Sequence, residues 1–320
     1  MNNERVKELT DKLECGLENL KNSEEFKKYL TCMSKFHSYS YNNTLLIMMQ
    51  NPKATYVAGF NSWKNNFKRN VKKGEKGIRI LAPAPVKKMV ETKRYDKDGR
   101  QFIEQEEVTI PIFKPVTVFD ISQTEGEPIP ELMTDELTDN VKNFEDIKKA
   151  LIHTSDIPII TKDIEGGAKG YFDPKAQTIY INEGMSESQT IKTMIHEIAH
   201  SLLHDYTKQA DKEEKKDRNT KEVEAESVAF CVSKHFGIDT DDYSFAYILG
   251  WSKDATLHEF KQSLETIQKC SNRLIGRLEA NLIDISKEKK SIKERLKDSS
   301  QRSKEQKTTR REKTDERDLI

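Results

Sequence analysis

Within IHEIAHSLLH, residues 195–204, His196 and His200 stand four positions apart, which sets two imidazoles side by side on one helix face. Both can reach a single divalent ion at the usual roughly 2.0–2.1 Å. Glu197 beside them is placed to take a proton from a metal-held water, whose pKa the metal lowers to roughly 7. That is the chemistry of metal-assisted hydrolysis, with Glu197 as the expected catalytic base. A charged, solvated helix that binds nothing shows the same five residues. The neighbours argue against it: Ile195, Ile198, Ala199 and Leu202 give the helix a side to bury, and Ser186 with Gln189 forms an S-x-x-Q capping box at its start.

A catalytic tetrahedral site needs a third protein ligand and keeps its fourth position open. His204 is one source, but eight helical residues rise about 12 Å, too far to share a metal with His196. The helix TKEVEAESVAFCV at 220–232 is the other, with Glu222 and Glu226 one turn apart. The expectation is Glu222 as ligand, Glu226 as the carboxylate that hydrogen-bonds a ligating histidine, and Glu224 pointing elsewhere. The expected ion is Zn2+, although a His-His-Glu set accepts other divalent ions such as Mn2+. Tyr171 and Tyr206 are candidates for stabilising an oxyanion, and the strand around Tyr180 is either a docking edge for an extended peptide or plain sheet. A purely structural metal would have no use for Glu197.

These residues need a scaffold. Asn143 to Thr154 has helical periodicity, Ile157 to Ile160 reads as a strand, and GAKGYFDPKAQTIYIN as a hairpin turning at Asp173-Pro174. Further helices are expected at 220–235 and 256–282. In the front half, apolar positions from Val6 to Met33 predict a helix or helix pair, and 44–50 a buried helix closed by Asn51-Pro52. Short β-branched runs from 54 to 120, with a hairpin turn at Asp96-Lys97-Asp98-Gly99, predict an antiparallel sheet. The fold class is therefore α+β in two domains: 1–125 a mixed α/β domain, 126–142 a linker, 143–284 a metallopeptidase-like domain ending in a helix, and 285–320 a charged tail. That tail is too polar to form a core and is expected to be disordered or a solvated helix.

Composition narrows the class. The 54 basic and 54 acidic residues cancel, and charged residues make up 34% against 35% hydrophobic, below the apolar share of an ordinary globular chain. Four cysteines without CxxC spacing, no leader-like start and no apolar run of spanning length predict a soluble cytoplasmic protein with no membrane partner. The neutral average conceals a basic stretch: between 63 and 88 lie Lys64, Lys68, Arg69, Lys72, Lys73, Lys76, Arg79, Lys87 and Lys88 against only Glu75. Tyr39, Tyr41, Phe60, Trp63 and Phe67 fall in and around it. Cations that follow phosphates and aromatic faces that stack on bases are how single strands are held without sequence preference. The same residues also suit a core beside a solvated face.

Two stretches resemble a known family. GYFDPKAQTIYI, HEIAH and EVEAESVAF, within 170–237, are similar to the zincin domain of ArdC-type antirestriction proteins, related to the ImmA/IrrE metallopeptidases. SYSYNNTLLIMMQNPKATYVAGFNSWKNN and VKKGEKGIRILAP, within 38–84, resemble the ArdC N-terminal domain, and LtrC-like proteins of mobile elements are similar in pattern. The resemblance covers two-thirds of the chain and implies single-stranded DNA as partner, a zinc metallopeptidase domain of glutamate-zincin type with a protein or peptide substrate, and protection of incoming DNA from restriction. It turns Asn43, Trp63, Lys72, Lys73 and Lys76 into the expected DNA contacts. The other reading is a zinc-dependent endopeptidase that uses its N-terminal domain for targeting.

Overall fold

A computed structural model describes residues 2–95, 101–129, 144–208, 216–238, 251 and 255–315. The expected turn at 96–99, most of the 126–142 linker and much of the charged insert after Lys208 lie outside them.

The front half opens on two helices, α1 (Asn2–Asn19) and α2 (Ser23–Lys35), the second capped by the Asn22 side chain, which accepts from the amides of Glu24 and Glu25. α3 (Tyr41–Gln50) is capped by Ser40 and buries Thr44, Leu45, Leu46 and Ile47, while Met49 on its other side is exposed. A three-stranded antiparallel sheet in the order β1-β6-β3 joins β1 (Val57–Gly59), β6 (Phe113–Asp120) and β3 (Ile78–Pro83). Between β1 and β3 come a short helix α4 (Phe60–Asn65) and β2 (Arg69–Val71), which pairs with β7 (Thr124–Gly126). β4 (Val86–Tyr95) and β5 (Gln101–Ile110) form a separate two-stranded ribbon. Asp120 knits the half together, accepting from the amides of Thr55, Tyr56 and Ser122.

The rear half has α5 (Phe144–Thr154), a second sheet in the order β8-β10-β9, and two crossing helices. In the sheet, β10 (Thr178–Asn182) is central, parallel to β8 (Ile159–Lys162) and antiparallel to β9 (Gly170–Asp173). The Tyr180 strand therefore offers no edge, since both of its sides are already paired; β9 is the edge beside the helix that follows. That helix, α6 (Glu187–Leu203), starts at Ser186, whose side chain accepts from the Gln189 amide. The expected return bond of the capping box is absent because the Gln189 amide donates to Thr193 and its oxygen accepts from Lys169. α7 (Arg218–His235), capped by Asp217, crosses α6, and α8 (Leu257–Asp315) packs on α7 and α5.

Two domains are present, but they do not keep separate cores. Leu30 and Phe26 of α2 are fully buried in one cluster that also contains Phe230, Val232 and Phe260 of the rear half. The Cys231 thiol donates to the Leu30 carbonyl, the Gln268 amide donates to the His37 carbonyl, and the Phe26 and Phe260 rings lie 6.4 Å apart. The physical reason is that α2 is apolar on two faces, one covered by α3 and the other by α7. Cys32 and Cys270 are buried in this cluster, which pushes both thiols up to about 12 and leaves them protonated and inert. Among the described residues, no helix is long and apolar enough to cross a membrane.

Candidate metal centre and basic face

The position of α6 follows from its own periodicity. Ile191, Met194, Ile195, Ile198 and Ala199 are buried against the sheet and α7, which turns Lys192, His196 and His200 to one flank. β9 runs close along that flank: a Cβ on Gly170 would lie 2.8 Å from Thr193 Cγ2 and 2.9 Å from the Tyr180 carbonyl oxygen, so only glycine permits the approach. α7 then carries Glu222 opposite the histidines.

His196 Nε2 and His200 Nε2 are 3.0 Å apart, and each lies 3.6 Å from Glu222 Oε2. These three separations bracket the roughly 3.3 Å ligand–ligand edge of a tetrahedral site with bonds of 2.0–2.1 Å. The second nitrogen of each ring is engaged elsewhere. His196 Nδ1 lies 3.1 Å from Glu226 Oε2, close enough for charge pairing though off the line of a hydrogen bond. His200 Nδ1 is 2.9 Å from His204 Nδ1, and His204 Nε2 is 3.0 Å from Glu224 Oε2. One set of tautomers satisfies this chain. His204 donates Nε2–H to Glu224 and accepts at Nδ1 from His200, which leaves His200 Nε2 a bare lone pair facing Glu222. Burial lowers the His204 pKa and so favours the neutral ring this relay needs.

Two lone pairs and a carboxylate converging on one point fit a divalent cation. For His196, burial alone would lower the pKa, but Glu222, Glu226 and Glu197 outweigh it and push it up to about 10, so the cluster demands positive charge in some form. Glu197 is buried beside them; burial raises its carboxyl above the usual range, against the pull of His196 and of the Phe172 amide it accepts from. A carboxyl lifted toward neutrality can both take and return a proton. A cavity of about 410 Å³ opens beside His196 and Glu197, lined also by Gly170, Gln189, Lys192, Thr193 and Glu226 among others.

Sequence reasoning treated Glu224 only as a residue pointing away from the centre. It does so, because two residues along a helix is roughly 200° around it. What lies there is a fully buried carboxylate that accepts from Lys216 and Ser263 as well as from His204, and these bonds hold its pKa down in spite of burial. The only available signal was a carboxylate flanked by apolar residues on a helix. Tyr171 and Tyr206 are not among the residues lining the cavity. The Tyr171 hydroxyl bonds Lys162 and its ring lies 5.0 Å from that of Tyr180, while Tyr206 is exposed beyond the end of α6.

The front half corrects two of the expected DNA contacts. Trp63 is completely buried, its indole N–H donating to the Phe119 carbonyl, so it has no face to offer a base. Asn43 is occupied by the framework: its amide donates to the Leu81 carbonyl and accepts from the Leu81 amide, and Gln50 two turns on does the same at Arg79. These two side chains imitate a neighbouring strand and close the free edge of β3. Lys72, Lys73 and Lys76 are exposed on the β2–β3 turn, where Gly74 takes a φ of 89°. Lys72 donates to the Ser122 carbonyl, whereas Lys73 and Lys76 have no side-chain partner among the described residues. Arg69 is held by Thr124, whereas Lys87 pairs with Glu107 yet stays exposed. Phe60, 53% exposed, is the one aromatic of that stretch with an open face.

Comparison with known proteins adds the family. Residues 2–119 match the N-terminal domain of anti-restriction factor ArdC, and residues 153–270 match the IrrE N-terminal-like domain of the M78 peptidases. The chain is an ArdC-like two-domain protein. An uncharacterized protein of Bacillus anthracis is 28% identical over 92% of this chain, which spans 54% of that relative's length. The Mn(II)-bound crystal structure of the antirestriction ArdC protein from the R388 plasmid is 18% identical, with a TM-score of 0.51 over 84% of this chain and 97% of that one, a likeness of fold. Its metal-free structure aligns with a TM-score of 0.45 over 76% of this chain and 85% of the other, at 19% identity.

Proposed function

We propose that this ArdC-like chain binds single-stranded DNA through its front half, carries a divalent-metal peptidase centre in its rear half, and serves a mobile element in evading restriction. The convergence of His196 Nε2, His200 Nε2 and Glu222 Oε2 beside buried Glu197 carries the peptidase part. Zn2+ is the ion this donor set favours, and the Mn(II) found in the ArdC relative makes manganese the alternative to test. A divalent ion held there supplies Lewis acidity to water and to a carbonyl oxygen. Glu197 holds and moves the proton at its carboxylate. The unpaired edge of β9 receives an extended peptide by main-chain hydrogen bonding, which aims a scissile carbonyl into the cavity over His196.

On the DNA side, Lys73 and Lys76 on the β2–β3 turn and the open face of Phe60 support the reading. The test is binding of fluorescent single-stranded and duplex oligonucleotides across a salt series, by the full chain and by its Glu197→Gln and Lys73→Ala/Lys76→Ala variants. Single-strand binding that weakens steeply with salt, is untouched by Glu197→Gln and is reduced by the lysine pair supports the reading. Salt-independent or undetectable binding ends the DNA half of it. Metal analysis tests the other half. Glu197→Gln should keep its ion, while His196→Ala and Glu222→Ala should lose it; retention in both ligand variants would falsify the centre.

A second reading makes the peptidase the purpose and DNA the means of locating a protein substrate. The shared core favours it, because a rear half welded to the DNA-binding half moves with it along a strand. Proteolysis of added proteins that requires both DNA and Glu197 would select this version.

A further inference from the structure

A second group of two histidines and a glutamate lies where the two halves meet. His37 follows the end of α2, His235 is the last residue of α7, and Glu279 lies on α8. The two imidazoles stand edge to face with centroids 4.9 Å apart, and a ring nitrogen from each together with a Glu279 carboxylate oxygen all fall within 4.8 Å of one another. None of them belongs to the centre around His196.

Their hydrogen bonds resemble those of the first centre. His235 Nδ1 lies 2.8 Å from the Ser34 carbonyl, which can only accept, so that nitrogen carries the proton. His235 Nε2 faces Glu279 Oε1 at 2.9 Å, an ion pair when the ring carries a proton on both nitrogens. A divalent cation taking the place of the Nε2 proton would draw on the same nitrogen and the same carboxylate. His37 is oriented in the same way, its Nδ1 2.9 Å from Asn272 Oδ1. Histidine ligands are typically held by an oxygen on their far nitrogen in this manner. The edge between His235 Nε2 and Glu279 Oε1, 2.9 Å, is close to the roughly 3.3 Å of a tetrahedral site, and the edges to His37 fall within 4.8 Å. Glu279, whose side chain is 31% exposed, has the rotamer freedom to adjust them.

We propose that His37, His235 and Glu279 form a second divalent transition-metal site, of the Zn2+ class, that clasps the front half of the chain to the rear half. Its ligands come from two helices and the turn after α2, on both sides of the shared core, so occupancy ties the end of α2 to α7 and α8 without touching the peptidase cavity. The inference does not depend on the peptidase reading.

The test counts zinc in the full-length protein after stripping with chelator and reloading with Zn2+ alone. The wild type is expected to hold two equivalents per chain, and His196→Ala/His200→Ala one. Adding Glu279→Gln to that double variant should remove the remaining equivalent, and Zn2+ should raise the thermal midpoint of the double variant but not of the triple one. Glu279→Gln keeps the size and much of the hydrogen bonding of the side chain, and His37→Asn gives a second route should it disturb packing; circular dichroism checks the fold of each. One equivalent in the wild type with none in the double variant overturns the proposal. So does a second equivalent that survives both Glu279→Gln and His37→Asn.

Discussion

The rear half brings His196, His200 and Glu222 from two helices to one point, while the front half draws Trp63 and Asn43, which looked equally purposeful, into its own framework. The difference lies in what a sequence spacing can guarantee. Four residues on a helix fix the relative direction of two side chains whatever else the chain does. A mixture of lysines and aromatics spread from 39 to 88 over helices, strands and turns fixes nothing about which side each faces, and the largest aromatic went where it buried most area.

That contrast can be attacked from its strongest side first. Trp63→Ala should cost about 3–5 kcal/mol of stability, the usual range for emptying a fully buried aromatic site. Chemical denaturation of the full chain measures it, and a loss under 1 kcal/mol would return Trp63 to the surface. Next in size, Glu224→Gln and His204→Gln should each weaken metal binding by about 10–100-fold although neither touches the ion, since they set the His200 tautomer. Competition with a chelator of known affinity reads this, and unchanged affinity in both removes the relay.

Smaller effects separate framework from contact. Lys73→Ala/Lys76→Ala should leave the thermal midpoint unchanged yet reduce the salt slope of single-strand binding by about 1.4, at roughly 0.7 per phosphate contact. Asn43→Ala should do the reverse, lowering stability by about 1–3 kcal/mol because the Leu81 amide loses its partner, with the salt slope intact. Last comes Asp205, which anchors the hairpin side chain Gln177 to the end of α6. Burial works against its charge, but bonds from Thr207 and Gln177 hold its pKa near 2, below the usual 3.8. A depressed folded pKa means that this contribution is present above about pH 4 and is lost as pH falls toward 2. Asp205→Asn should therefore lower the thermal midpoint at pH 6 and flatten its decline between pH 4 and 2, as a series of melting curves would record.

Local spacing by itself determined the helical character of the front, the hairpin before α6, the cap at Ser186, the paired histidines and the one-turn relation of Glu222 to Glu226. Each depends on neighbours within a few residues, where backbone geometry is almost fully set by helix or strand period. Tertiary structure decided the rest. Only packing placed Glu224 behind His204, turned Asn43 and Gln50 onto the edge of β3, and merged two expected cores by laying α2 across α7. It also joined His37 to His235 and Glu279, residues separated by up to 242 positions that no period relates. Such pairings are fixed by which apolar faces remain to be covered once the helices exist, and that is a property of the whole chain.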